Sequence, residues 1–284
     1  MEARATLKAY LDLCRVSNLP TVWTNVLAAS LLAGGGVLER GPAALAALAL
    51  SLFYLGGMAL NDLCDCDHDR LQRPSRPIPS GRIPVTDARL FTLALFAAGF
   101  LVLALAPWPA ALPAAVLLLA VIYAYDRHHK QNPYSVLLMA SCRFLVYVVA
   151  ALAVSGRVAT PVLLAGAIQF SYIVLLSLVA RWENSRSEKP PQLPSPGGAQ
   201  RKHGRSETAP HVPSPGGMSA VALAKAEGRL GRGESPFPLI PLLLAGISLL
   251  DGVLLAFLVQ PQWLAAGVAG FLLTLAGQRY VRGD

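Results

Sequence analysis

The chain is poor in charge. Only 14% of its 284 residues are Asp, Glu, Lys or Arg, where a soluble domain carries about 25%. So few charges cannot cover a water-facing surface of this size, which excludes an ordinary soluble enzyme. Cysteine is scarce too. There are four, without regular spacing, so a disulfide-stapled scaffold is excluded. Acidic residues number 16 against 24 basic ones, and this imbalance admits either a nucleic-acid partner or a membrane protein with basic loops.

What is present in quantity is apolar: 54% of residues, with a mean hydropathy of +0.50. Residues 16–38, 41–61 and 158–180 carry no charge. Each run is long enough to cross a hydrocarbon core of about 30 Å as a helix. The uncharged run 90–125 is too long for one crossing, and Pro107, Trp108, Pro109 and Pro113 divide it into two. Residues 131–156 contain one charge, Arg143; residues 235–278 contain one, Asp251, and are divided at Pro261-Gln262. The pattern predicts an all-α, polytopic transmembrane bundle of about eight helices, at 16–38, 43–61, 89–106, 109–125, 134–154, 160–180, 237–258 and 262–279. The first run exceeds the core of a secretory signal, so it is read as a span, preceded by a short interfacial helix over Met1–Arg15. Three regions follow: 1–183 with six spans, 184–235, and 236–284 with two. The middle region is rich in Pro, Gly, Ser, Lys and Arg, and repeats Leu193-Pro-Ser-Pro-Gly-Gly198 as Val212-Pro-Ser-Pro-Gly-Gly217. It reads as a disordered cytoplasmic loop, with a short helix conceivable over 218–227.

An even number of spans puts both termini on one side. That side then holds all but three of the 24 Lys and Arg; Arg40 and Arg157 lie opposite, and Arg143 lies within a helix. By the positive-inside rule the termini are expected in the cytoplasm, with a bacterial inner membrane as the expected location. The net charge of +8 is thereby absorbed as topology, and no nucleic-acid partner is expected.

The most informative segment is Asn61-Asp62-Leu-Cys64-Asp65-Cys66-Asp67-His68-Asp69, with four of the sixteen acids in nine positions. At about 100° per residue, Asp62, Asp65 and Asp69 fall on one helical face beside Asn61, and Asp67 points away. Clustered carboxylates repel unless a cation sits among them, and oxygen-only ligands suit a hard divalent ion such as Mg²⁺, whose shell substrate phosphates complete. A solvated acidic helix end is the plain alternative, although it opposes the helix dipole. A soft-metal site on Cys64, Cys66 and His68 is disfavoured by spacing and by face. The loop Arg73-Pro-Ser-Arg76-Pro-Ile-Pro-Ser80-Gly-Arg82 follows, expected as a rigid extended segment whose arginines suit a diphosphate. Together these features suggest a Mg²⁺–diphosphate site at a membrane mouth.

Asn61-Asp62-x-x-Asp65-x-x-x-Asp69 with Arg76-Pro-x-Pro-Ser-Gly-Arg82 resembles the UbiA superfamily of intramembrane prenyltransferases. The first span, Arg15-Val-Ser-Asn18-Leu-Pro-Thr-Val-Trp-Thr-Asn25, is similar to that family's opening, in which asparagines face a cavity. The likeness spans about residues 10–183 and, more weakly, 237–280. It implies Mg²⁺ held by Asn61, Asp62, Asp65 and Asp69, a polyprenyl diphosphate donor, and transfer to an aromatic or other lipid acceptor within the bilayer. It also implies that Arg127 and Lys130 reach the diphosphate. The chain departs from the family in three places. The second D-x-x-x-D motif is reduced to Glu183 beside Arg181, which suggests Arg181 as a direct diphosphate contact. Eight spans are expected where the family has nine. The loop after Glu183 is longer than usual. A non-catalytic prenyl-lipid binder or transporter on the same fold is the alternative that the weakened motif motivates.

Polar groups within spans are costly and point to function. Arg143 lies too deep to snorkel, and with Tyr147 one turn on it is a candidate substrate ligand. Asp251 is expected to pair with Arg143 or to line the cavity. Gln169 and Tyr172 are further candidates for the cavity wall. Tyr123 and Tyr125 are read as interfacial anchors, and His128-His129 as solvated.

Overall fold

The apolar runs fold as helices because each buries its backbone polar groups internally, the only open arrangement a bilayer tolerates. The structure is a computed structural model, and it describes residues 2–128, 132, 134–187 and 239–281. The described residues contain ten α-helices: α1 (Glu2–Leu13), α2 (Leu19–Ala33), α3 (Arg40–Cys64), α4 (Cys66–Gln72), α5 (Val85–Ala104), α6 (Ala111–His128), α7 (Ser135–Ser155), α8 (Thr160–Ser187), α9 (Leu239–Leu258) and α10 (Leu264–Gln278). Six of them, α3 and α5 to α9, are long and apolar enough to cross a membrane. The expected boundaries of these six agree to within a few residues, apart from the C-terminal end of α8. Lys130 and the expected loop and short helix beyond Ser187 lie outside the described residues.

The first span is shorter than its sequence suggests. Residues 16–38 read as one continuous crossing, yet α2 occupies only Leu19–Ala33. At its start Arg15 adopts a left-handed conformation (φ 46°), followed by a single 3-10 turn over Val16–Asn18. At its end the run Gly34-Gly35-Gly36 stops the helix, with φ of +64° and +94° at the last two, values that L side chains rarely adopt. Hydropathy records neither event, since glycine and serine count as uncharged.

Successive helices run back and forth, so the connections collect at two ends. One end joins residues 14–18, 61–84, 126–128, 134–135 and 279–281: Asn61 meets Asp126, Arg181 donates to Ser135 Oγ at 2.7 Å, and Gln278 donates to Asn18 Oδ1 at 3.1 Å. At the other end the proline-rich connection between α5 and α6 is pinned by Trp108, whose indole N–H donates to the Val154 carbonyl at 3.1 Å. The core between them is made of Val22, Leu31, Phe53, Phe96, Tyr147 and their neighbours, with small residues where helices meet. Helices α9 and α10 cross closely at paired glycines. A Cβ added at Gly252 would lie 2.7 Å from the Gly267 Cα, a backbone atom that cannot move aside. Gly252→Val is therefore expected to destabilise the bundle by about 1–3 kcal/mol, as overpacking does. Chemical or thermal denaturation in detergent reads the loss, and unchanged stability would show that α9 and α10 part freely.

Candidate active site

The carboxylate face forms at the end of α3. Instead of continuing, the helix breaks at Asp65, which terminates α3 and precedes α4. The break is mild: the Asp65 amide still bonds the Asn61 carbonyl at 3.0 Å, and the Asp69 amide bonds the Asp65 carbonyl at 2.9 Å. The expected face therefore survives. Asn61, Asp62, Asp65 and Asp69 are all buried, between 3% and 8% exposed. Asp67 points outward and, among the described residues, pairs with Arg70.

Two arginines enter this face. Arg76 Nη1 lies 2.5 Å from Asp69 Oδ2 and 3.2 Å from Asp62 Oδ1. Arg15 Nη2 lies 3.2 Å from the same Asp62 oxygen, and Arg15 Nη1 points to the Met58 sulfur. The left-handed turn at Arg15 is thus found where the guanidinium meets the carboxylates, an outlier located at the site. Asn61 Nδ2 donates to Asp126 Oδ1 at 3.1 Å, which brings a further buried carboxylate from the end of α6.

Arg76 reaches the site because its loop folds back. The segment 73–84 is not extended as expected; it is a succession of turns, with Arg76 N–H bonded to Arg73 O, Ser80 N–H to Arg76 O, and Ile83 N–H to Pro77 O. The prolines set their own φ, but Ile78 and Ile83 need burial and find it against Ala59, Cys66 and Ala88. Arg82 consequently faces away from the carboxylates. It donates to the Ser75 carbonyl at 2.7 Å and Ser80 Oγ at 3.1 Å, lies 3.6 Å from Asp12, and so ties the loop to α1.

A buried polar chain continues into the bundle. Tyr54 OH donates to the Arg15 carbonyl at 3.3 Å, and the Arg143 guanidinium sits 6.0 Å from the centre of the Tyr54 ring. Arg143 donates to Asn25 Oδ1 and Thr21 Oγ1, each at 3.0 Å. Asn25 Nδ2 donates to Asp251 at 2.7 Å, and Tyr147 OH and Gln169 Nε2 donate to the other Asp251 oxygen. The expected pairing of Arg143 with Asp251 is therefore indirect, with Asn25 between them.

The remaining candidates divide. Asn18 accepts from Gln278 at the carboxylate end. Tyr172 does not line the polar chain; its hydroxyl donates to the Leu243 carbonyl at 2.8 Å and joins α8 to α9. Arg181 bonds Ser135 and the Asn132 carbonyl, and Arg127 is exposed. The Glu183 side chain lies outside the described residues. Cys64 and His68 are exposed whereas Cys66 is buried, so the three do not converge. Sequence reasoning missed two members of the site, Arg15 and Asp126. Asp126 carried the signal that singled out its neighbours, an acid at a helix C-terminus against the dipole. Arg15 was indistinguishable from any positive-inside residue.

Cys14 lies directly beneath the site. Burial, and then the charge of Asp62, push its thiol up to about 12, so it stays protonated near neutral pH and is not a nucleophile.

As to a metal, the donor set of Asn61, Asp62, Asp65, Asp69 and Asp126 is buried and offers only oxygen ligands, which suits a hard divalent cation. Among the described residues no three His, Cys, Asp or Glu side chains already converge on one point, since Arg76 stands between Asp62 and Asp69. The chemistry fits; the side chains must turn to enclose an ion.

The described residues thus form an all-helical bundle of membrane-spanning type with an arginine-bridged carboxylate cluster at one end. The UbiA prenyltransferase family model matches residues 21–190, more than half of the chain. The chain belongs to the UbiA prenyltransferase family and is an integral membrane protein. It is 38% identical over 132 residues to a digeranylgeranylglyceryl phosphate synthase of Ignicoccus hospitalis, covering 46% of this chain and 42% of that protein. It is 32% identical over 136 residues to one of Saccharolobus solfataricus, covering 48% of each. The chain thus spans about half the length of the curated relatives it matches. Among solved structures it resembles one concerning digeranylgeranylglyceryl phosphate synthase (TM-score 0.57, 19% identity, 96% of this chain and 87% of that one). It also resembles a UbiA homologue from Archaeoglobus fulgidus bound to DMAPP and Mg²⁺ (TM-score 0.52, 16% identity, 93% and 86%). At these identities the likeness is one of fold.

Proposed function

We propose that this protein transfers a polyprenyl group from an allylic diphosphate to a lipid acceptor at the carboxylate end of the bundle. The observation that carries this reading is the buried cluster in which Asp62 and Asp69 share Arg76 while Arg15 holds Asp62 from the other side. Such a cluster has both halves of a diphosphate site, forked donors for phosphate oxygens and carboxylates for a cation. Asn61, Asp62, Asp65 and Asp69 would hold Mg²⁺, which supplies charge neutralisation of the leaving diphosphate.

The chain's own residues do the rest. Arg15 and Arg76 turn from the carboxylates to the diphosphate oxygens, where negative charge grows as the allylic C–O bond breaks and its electron pair departs. The apolar walls of α2, α3 and α7 exclude water from the allylic cation, which would otherwise be hydrolysed. The acceptor's nucleophilic atom then forms the new bond to the allylic carbon and gives its proton to solvent at the mouth. The relatives are named for a product with two geranylgeranyl groups on glyceryl phosphate, which supports a lipid alcohol as acceptor rather than an aromatic ring. The basic residues gathered at the carboxylate end support a cytoplasmic orientation for that end.

Diphosphate release by the purified protein, followed with Mg²⁺, allylic diphosphates of several lengths and a lipid alcohol, tests the reading. Release coupled to a prenylated product is expected. Tight donor binding with no release under any of these conditions would instead support the binding-protein alternative.

A further inference from the structure

Arg143 is a charged residue within a span that the diphosphate site leaves without a task. It sits midway along α7, half-buried, among buried neighbours: Thr21 and Asn25 of α2, Tyr147 of its own helix, and Asp251 of α9. It stays ionised in any setting a protein offers. Among the described residues it donates two hydrogen bonds, to Asn25 and Thr21, of the five that a guanidinium can make. Among the described residues no carboxylate oxygen comes within 4.0 Å of it. A guanidinium inside a membrane protein with most of its fork open is costly unless an anion completes it.

The surrounding groups hold Arg143 from behind. Asp251 takes Asn25 Nδ2, and this leaves Asn25 Oδ1 facing the guanidinium. Tyr147 and Gln169 fill the other Asp251 oxygen, so the carboxylate is engaged away from Arg143. Asp251 thus lowers the cost of the cation at a distance and leaves its fork free. The depth is informative as well. Arg143 lies against Tyr54, and Tyr54 is eight residues before Asp62 on α3. At 1.5 Å per residue that is about 12 Å into the bundle from the carboxylates. An anion held at Arg143 would therefore lie deeper in the bundle than the carboxylate cluster.

Resting on the prenyl-transfer reading, we propose that Arg143 anchors the acceptor, binding the phosphate monoester of a single-chain lipid alcohol within the bundle.

The test uses the full chain in detergent, without Mg²⁺ or donor. The probes are 1-O-octylglycerol 3-phosphate and 1-O-octylglycerol, with binding read by calorimetry. Wild type is expected to favour the phosphate by about tenfold or more, the range of a charge-assisted pair. Arg143→Met should reduce that preference to within about twofold, and Arg143→Lys should keep part of it. Inorganic diphosphate with Mg²⁺, added to wild type, should leave the phosphate probe bound. Equal affinity of wild type for both probes, an undiminished preference in Arg143→Met, or displacement by Mg²⁺-diphosphate would each overturn the proposal. The wild-type arms decide the matter even where Arg143→Met does not fold. Because no donor is present, failure here is distinct from failure of diphosphate release, which alone bears on catalysis.

Discussion

Asp62→Asn should lower diphosphate release by about 10²–10³-fold or more while the protein still folds, the range seen when one group that stabilises a transition-state charge is lost. One Asp62 oxygen accepts both Arg15 and Arg76. Asparagine keeps the shape and one oxygen but loses the charge that holds two guanidiniums at the mouth and that a divalent cation requires. The matched control is Asp67→Asn. Asp67 lies only two residues from both Asp65 and Asp69, but its side chain is 95% exposed and pairs with exposed Arg70. A surface pair of this kind contributes little, so release should stay within about twofold of wild type. Comparable rates in Asp62→Asn and wild type would end the catalytic assignment. A large loss in Asp67→Asn would show that overall acidity of the segment, rather than the inward face, is what matters.

The second large effect concerns stability. Asp251→Ala removes the acceptor shared by Asn25, Tyr147 and Gln169, and with it the carboxylate linked through Asn25 to half-buried Arg143. Asn25 Nδ2 and the Tyr147 hydroxyl then lose their acceptor, Gln169 Nε2 keeps only the Ile247 carbonyl, and the Asn25 amide that faces Arg143 is no longer fixed. Breaking a buried charged network in this way costs about 3–5 kcal/mol, which for a chain of this size lowers Tm by about 10 °C or more. Tyr147→Phe removes a single hydrogen bond and should cost about 1 kcal/mol. Thermal unfolding in detergent, followed by helical circular dichroism, separates the two. If Asp251→Ala melted within about 2 °C of wild type, the network would not be holding α2, α7, α8 and α9 together.

Much of the architecture was legible beforehand. The helices α3, α5, α6, α7 and α9 begin and end close to where charge disappears and returns, because charge is costly in the hydrocarbon core and cheap at its interfaces. The face formed by Asp62, Asp65 and Asp69 was legible from helical periodicity alone, and it survives a break at Asp65 that the pattern does not foretell. The break is mild enough to preserve the backbone hydrogen bonds on both sides, so the angular argument still holds across it.

What sequence could not supply were the partners. Arg76 and Arg82 look alike in one proline-rich loop, yet only Arg76 meets the carboxylates. The difference follows from burial of Ile78 and Ile83, a packing decision made by α3, α4 and α5 together. Arg143 and Asp251 are 108 positions apart, and hydropathy marks each as an anomaly without saying that Asn25 stands between them.

The scarcity of charge by itself determined that this chain lies in a membrane, and the few charges that remain marked where its chemistry is. Transfer free energy and helical period act on local stretches of chain, so both can be read along it. Which arginine closes on which carboxylate, and the indirect link from Arg143 to Asp251, were decided only by the tertiary structure, because they depend on how separate helices pack and on which buried donors then find acceptors.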